Sequence, residues 1–386
     1  MWRQTWEAAR GLGYARTSVW NLLRWLPSLV LLAPWLLGPL APPESARLRD
    51  LSSPESFGLL DWETVHVGQK LGDLWAGLSG PTVATSDDAD VLRSYFAQNP
   101  HPADLRPAAE TALEHLVAQA YREDGVMRSE PLNLQNLFPP VLISLTAPPN
   151  VLVIAPRTEL RVISSSVLEP MDVSAQEQLE ASADSTGVSS LVAPIGGLAT
   201  YPSMVLDNDS AEQVLSASAH EWVHQYLIFY PLGQGYWSSQ QTREINETTA
   251  EMIGEEVGSG IATSIGLAPA PTAPVVPRRP AFDFRGFMRD TRAQVEQMLA
   301  AGQVDAAEAY MRAQRDELER HGYVIRKLNQ AYFALYGSYG EGAAASPTNP
   351  IPSLLHQLRD QSSSVGAFLA RVRGITTVDE LRQAVA

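Results

Sequence analysis

The chain has 386 residues, 45% of them hydrophobic and 18% charged, which excludes both a staple-dependent miniprotein and wholesale disorder. Asp and Glu outnumber Lys and Arg by 43 to 28, a formal net charge of −15, so a nucleic-acid binder that draws its affinity from neutralising phosphates is excluded too. Cysteine is absent, so disulfides, thiolate zinc ribbons, iron–sulfur clusters and a thiol nucleophile have no residues to build them. Any metal must sit on His, Asp or Glu.

In chain order, the first element is an uncharged apolar run of 19 residues between Arg24 and Glu44, close to the roughly 20 that a membrane-spanning helix needs. Its prolines, Pro27, Pro34 and Pro39, are tolerated better in a spanning helix than in a soluble one. Arg3, Arg10, Arg16 and Arg24 precede it against the single acid Glu7, so the positive-inside rule holds the N-terminus in the cytoplasm and exports the rest. No clean A-x-A site follows, which favours an uncleaved anchor in membrane lipid over a cleaved signal peptide. The expected organisation is therefore a basic cytoplasmic tail over 1–24, a transmembrane anchor over 25–43, and an extracytoplasmic remainder.

Residues 44–137 read as a tether followed by helices. Apolar residues recur at helical spacing over Trp62 to Leu78 and over Pro102 to Arg122, the second with Leu105, Ala109, Leu113, Leu116 and Val117 on one stripe. From Phe138 the texture changes to short apolar runs: Val141 to Leu145, Val151 to Ile154, Glu159 to Ile163, Leu191 to Ala193 and Leu198 to Val205. These predict a small mixed sheet, with a helix near Ser174 to Ala183 inserted. Asp209 and Ser210 both qualify as the N-cap of a helix running to Phe229, and Ser239 opens another through about Ser259. After a proline-rich linker over 266–281 come two long amphipathic segments, Phe284 to Ala300 and Val304 to about Tyr336, then shorter ones near Ile351 to Arg359 and Val365 to Arg373. The fold class that follows is α+β: a small mixed sheet and a mostly helical half, with the chemistry-bearing helix between them. Its core spans 138–265 and a C-terminal helical region spans 282–386.

His220-Glu221-Trp222-Val223-His224 is an H-E-x-x-H motif. Residues four apart on a helix face the same way, so both imidazoles can reach one ion. Glu221 then stands beside the open coordination position, where it can take a proton from an attacking water and pass it to a leaving amine. A catalytic zinc site wants three protein ligands and an open fourth position, and no His follows within the next 90 residues. The carboxylates of the next helix, Glu244, Glu247 and Glu251, are the remaining candidates. Gly254 and Gly258 lie on the same stripe and would let another element approach closely.

With Asn246-Glu247-Thr248-Thr249-Ala250-Glu251 following H-E-x-x-H at this distance, the chain resembles the gluzincin metallopeptidases over about residues 210–258. That resemblance implies Zn2+ held by His220, His224 and Glu247, Glu221 as general base, Glu251 orienting a ligand histidine, and a peptide or protein substrate. It further implies an edge strand beside the metal that pairs with extended substrate, a place occupied here by Gly197, Leu198, Ala199 and Thr200. The G-x-M-E-N exopeptidase signature is absent.

An oxyanion donor is sought in Asn329 to Tyr339, where Tyr332, Tyr336 and Tyr339 share a face, with Tyr332 and Tyr336 the first choices and His321 a further candidate. This segment is similar to the downstream helix of uncharacterised membrane-anchored bacterial predicted aminopeptidases. Tyr226, two residues past His224, points away from the metal.

Overall fold

The computed structural model describes residues 56–70, 84–126, 137–207, 210–268, 282–340 and 342–386. The expected basic tail, the anchor over 25–43 and most of the proline-rich linker lie outside them. Among the described residues no helix is long and apolar enough to cross a membrane.

Among the described residues, three helices come first. Helix α1, Leu59–Gln69, starts three residues before the expected Trp62. Helix α2, Ser86–Phe96, escapes an apolar-periodicity reading because its first turn is Ser-Asp-Asp-Ala; it opens on a capping box between Thr85 and Asp88 and buries only Leu92 and Tyr95. Helix α3, Arg106–Glu123, buries Ala109, Leu113 and Val117 of the expected stripe.

The expected single sheet is two sheets of three strands each. Strands β1 (Ile143–Leu145), β2 (Asn150–Pro156) and β3 (Ser164–Leu168) are followed by helix α4 (Val173–Asp184), then by β4 (Val188–Pro194), β5 (Gly197–Leu198) and β6 (Ser203–Val205). One sheet has the order β3-β2-β4 and is antiparallel throughout. Its central strand alternates with period two: Leu152 and Ile154 pack toward Leu179 of α4, while Val153 and Ala155 pack toward Ala331 and Ala334. The other sheet is mixed, in the order β1-β6-β5, with β1 parallel to β6 and β5 antiparallel to it.

Two strand expectations are corrected. Glu159 to Ile163 is the connection out of β2, and the strand is the serine-rich stretch after it, placed by the pairing of Ile154 with Ser164 through Asn150 with Leu168. A polar strand is tolerated there because β3 is an edge. Leu198 to Val205 is interrupted: β5 ends at Leu198, the Thr200 N–H turns back to the Leu198 carbonyl, and pairing resumes at Ser203.

The helical half follows. Helix α5, Ala211–Leu227, is capped by Ser210 in a reciprocal box with Gln213, and a short turn α6, Pro231–Gln234, stops the chain before α7, Gln240–Ser264, capped by Ser239. Helix α8, Phe284–Ala300, has the expected bounds. The stretch from Val304 is two helices: α9 ends at Arg320, Gly322 takes φ +86, and α10 begins only at Gln330 and ends at Tyr336. Glycine reaches that left-handed conformation without the steric cost a side chain brings, so it ends the helix although the amphipathic period continues beyond it. Helices α11 (Ile351–Asp360), α12 (Val365–Val372) and α13 (Val378–Val385) close the chain, the last not foreseen.

The largest apolar core joins α3, α5, α7 and the last three helices. A second core lies under α8 and α9.

Candidate metal centre

Helices α5 and α7 meet where glycine removes the obstacle. A Cβ at Gly258 would lie 2.4 Å from Ser216 Cα, and one at Gly254 would lie 2.8 Å from His220 Cβ. This close approach brings the middle of α7 against the histidine face of α5, as the glycine stripe suggested.

His220, His224 and Glu247 converge there, with one ligand atom from each lying within 4.8 Å of the others, a group that can hold a metal ion. The Nε2 atoms of the two histidines are 3.0 Å apart, and Glu247 Oε2 is 3.5 Å from His224 Nε2 and 3.8 Å from His220 Nε2. His224 and Glu247 are buried, whereas the side chain of His220 retains 17% of its exposure and marks the side from which the group is reached.

The outer ring nitrogens are committed elsewhere. His224 Nδ1 donates to Asn246 Oδ1 at 2.7 Å, and the amide orientation is fixed because Asn246 Nδ2 donates to the Leu232 carbonyl. For His220, the nearby backbone of Ala250 favours a ring N–H. Both Nε2 atoms therefore face Glu247, and each can offer a lone pair to a metal once it carries no proton. Glu247 Oε1 accepts the hydroxyl of Tyr236, while its Oε2 is buried with no hydrogen-bond partner.

Charge in the metal-free group follows from burial and proximity. Burial together with the neighbouring His224 pushes His220 down to about 3. For His224 burial works the same way but is outweighed by the Glu247 carboxylate, which lifts it to about 9. Burial of Glu247 is likewise outweighed by its histidines, which hold it down at about 2. The group without metal is thus an imidazolium–carboxylate pair beside a neutral imidazole. Burial, helped by the Glu247 charge and opposed by His224, pushes Glu221 up to about 8.

Of the expected substrate strand, Gly197 and Leu198 form β5, which pairs only with β6 among the described residues and so presents a free edge. A Cβ at Gly197 would lie 2.3 Å from Glu221 Oε1, so this strand runs directly over the Glu221 carboxylate. Ala199 and Thr200 do not extend it. Thr200 is buried, its hydroxyl donates to the Pro202 carbonyl, and its own carbonyl accepts Gln225 Nε2.

The tyrosines are rearranged relative to expectation. The Tyr332 and Tyr336 rings pair at 4.6 Å and pack on the apolar clusters around α8 and the antiparallel sheet. Tyr339 stands next to the histidines instead, its ring 6.4 Å from that of His220, held there by the Gly340 N–H donating to Thr248 Oγ1 beside Glu247. The break after α10 is what separates Tyr339 from the other two. The Glu247 charge, with burial, raises the Tyr339 hydroxyl well above its usual range, and burial with the same charge does so for Tyr236. Tyr236 carried no sequence signal, since it lies in the loop between the two ligand helices.

Glu251 follows Glu247 by one turn, and its charge also acts on Tyr339. Glu244 is taken by Gln240 and Asn349. His321 stacks on Phe282 at 4.1 Å. Tyr226 bonds Arg373 and stacks on Trp222. Comparison with known protein families, with curated proteins and with solved structures finds no match.

Proposed function

We propose that the chain is a zinc-dependent metallopeptidase of gluzincin type, anchored by its N-terminal segment with the catalytic part outside the cytoplasm. The carrying observation is the donor set: two imidazoles with Nε2 atoms 3.0 Å apart, the outer nitrogen of His224 already engaged by Asn246, facing a buried carboxylate oxygen that accepts no hydrogen bond. Two nitrogen lone pairs and a bare carboxylate oxygen at this separation suit a borderline cation such as zinc, which favours nitrogen and oxygen donors in a small cage. His220, His224 and Glu247 would hold it. Zinc bound there supplies Lewis-acid polarisation of a carbonyl and makes water acidic enough to attack at neutral pH.

The remaining work falls to the chain's own side chains. Glu221, adjacent to the first histidine and directly under Gly197, is placed to move a proton from water to a leaving amine. The Tyr339 phenol stays protonated and stands beside His220, which suits it to donate to developing negative charge on a carbonyl oxygen. The free edge of β5 offers backbone hydrogen bonds to an extended peptide, and Gly197 lets that peptide lie close to Glu221.

The test is metal analysis and peptide cleavage on the purified full chain. We expect about one zinc per chain, by analogy with other three-ligand sites. His220→Ala and Glu247→Ala should lose the metal, and Glu221→Gln should keep it while losing cleavage. Folded wild-type protein that takes up no zinc would sink the proposal.

A further inference from the structure

Arg243 precedes Glu247 by one turn of α7, so both side chains leave the same face about 6 Å apart along the axis. It is 9% exposed, yet among the described residues no carboxylate, carbonyl or hydroxyl pairs with its guanidinium. Its neighbours are two aromatic faces: Cζ lies 4.4 Å from the Trp237 ring centroid and 5.1 Å from that of Tyr236. Other buried cations of the fold are matched. Lys70 lies between Glu110 and Glu114, and Arg292 pairs with Glu296 and donates to the Phe333 and Ala344 carbonyls. The Arg243 guanidinium is thus held by two aromatic faces, with its nitrogens still reached by solvent rather than matched by an anion.

The position is equally specific. The Tyr236 ring that Arg243 covers carries the hydroxyl bonded to Glu247, so one aromatic ring separates the cation from the candidate metal ligand. Trp237, whose ring meets that of Tyr236 edge-on at 4.9 Å, is 38% exposed, so this aromatic corner opens to solvent. The two rings hold the guanidinium from adjacent sides and leave N–H donors on its remaining sides for a bidentate anion.

We propose that Arg243 receives a carboxylate of the substrate and thereby sets a preference for peptides that are acidic close to the bond cleaved. The proposal rests on the metallopeptidase reading. A carboxylate has two sources, a free C-terminus or an Asp or Glu side chain. Because an extended peptide advances about 3.3 Å per residue, a carboxylate at Arg243 belongs to a residue within about two of the scissile bond. The chain as a whole, at −15, repels acidic peptides, so such a preference has to arise from a local cation.

The experiment uses the zinc-loaded full chain and one neutral parent peptide in two series. The first compares free and amidated C-termini; the second walks a single Glu-for-Gln replacement along the amidated peptide. Wild type should favour one carboxylate form by about tenfold in kcat/KM, as expected for a charge-assisted bidentate pair. That ratio should fall to about one in Arg243→Gln and be partly kept in Arg243→Lys. The responding series identifies the source.

Ratios near one in both series, or a ratio that survives Arg243→Gln, overturn the proposal. Absence of any cleavage by wild type would count against the peptidase reading, and the carboxylate site is then judged by binding. In that arm Trp237 fluorescence is titrated with the same peptides on Glu221→Gln protein, with and without Arg243→Gln. Equal affinity for acid and neutral forms, or no effect of Arg243→Gln, overturns it there as well.

Discussion

Asn246 offers its side-chain oxygen to His224 and its amide to the Leu232 carbonyl, so it both fixes the imidazole tautomer and ties the ligand to the loop that ends α5. Removing such an outer partner typically costs 10- to 100-fold in metal affinity. Asn246→Ala should therefore weaken zinc binding by about that factor in competition with a chromophoric chelator, with the fold intact by circular dichroism. Gly197 tests the other half of the site. A methyl group there meets Glu221 Oε1 at 2.3 Å and Cγ at 3.0 Å, so Gly197→Ala must displace the carboxylate. We expect full zinc content with kcat reduced about 100-fold, the scale of loss when a reacting group moves by about 1 Å. Unchanged kcat would remove β5 from the reaction.

The pairing of α5 with α7 sets the distance between the two histidines and Glu247, and it depends on which glycine lies at the crossing. A Cβ at Gly258 would lie 2.4 Å from the Ser216 backbone, whereas one at Gly260, two residues on, meets nothing within 4 Å. Alanine is the better helix former by about 1 kcal/mol. Gly260→Ala should therefore stabilise slightly, while Gly258→Ala should cost about 1–3 kcal/mol as overpacking wedges the helices apart. Denaturant unfolding of the two variants separates the outcomes, and zinc affinity should fall only in the second. Equal effects would mean that the helix pair is not seated on Gly258.

At the scale of the whole molecule, Glu180 binds the C-terminal half to the antiparallel sheet. Its carboxylate accepts Arg326 and the Val192 N–H, with Lys327 at 3.3 Å, and its side chain is 3% exposed. Burial alone would favour the neutral acid, but Arg326 and the Val192 amide outweigh it and hold the pKa below its ordinary 4.5. A lowered pKa stabilises the fold fully above the ordinary value, and that contribution is lost as pH falls through the lowered one. Glu180→Gln should cost about 3 kcal/mol at pH 7, the scale of a broken buried pair. The gap to wild type should close in acid. A gap constant from pH 7 to pH 3 would refute the assignment.

Much was legible from order alone because it is local. The H-E-x-x-H helix and its Ser210 cap, the Ser239 cap of the next helix, and the glycine stripe on α7 follow from spacing along one chain, and they put His220, His224 and Glu247 within reach of one another. What the tertiary structure decided is what approaches from elsewhere. Periodicity grouped Tyr332, Tyr336 and Tyr339 on one face, yet the end of α10 at Tyr336 turns two of them into an apolar cluster and sends the third to His220. Tyr236 and Arg243 gave no signal, because a loop phenol on a carboxylate and a guanidinium against two edge-on rings are defined only by contacts across the fold. Spacing within a helix fixes which side chains share a face. Only packing between elements fixes what that face meets, and for an acidic chain without cysteine this is where a metal group acquires its proton donors and its cation.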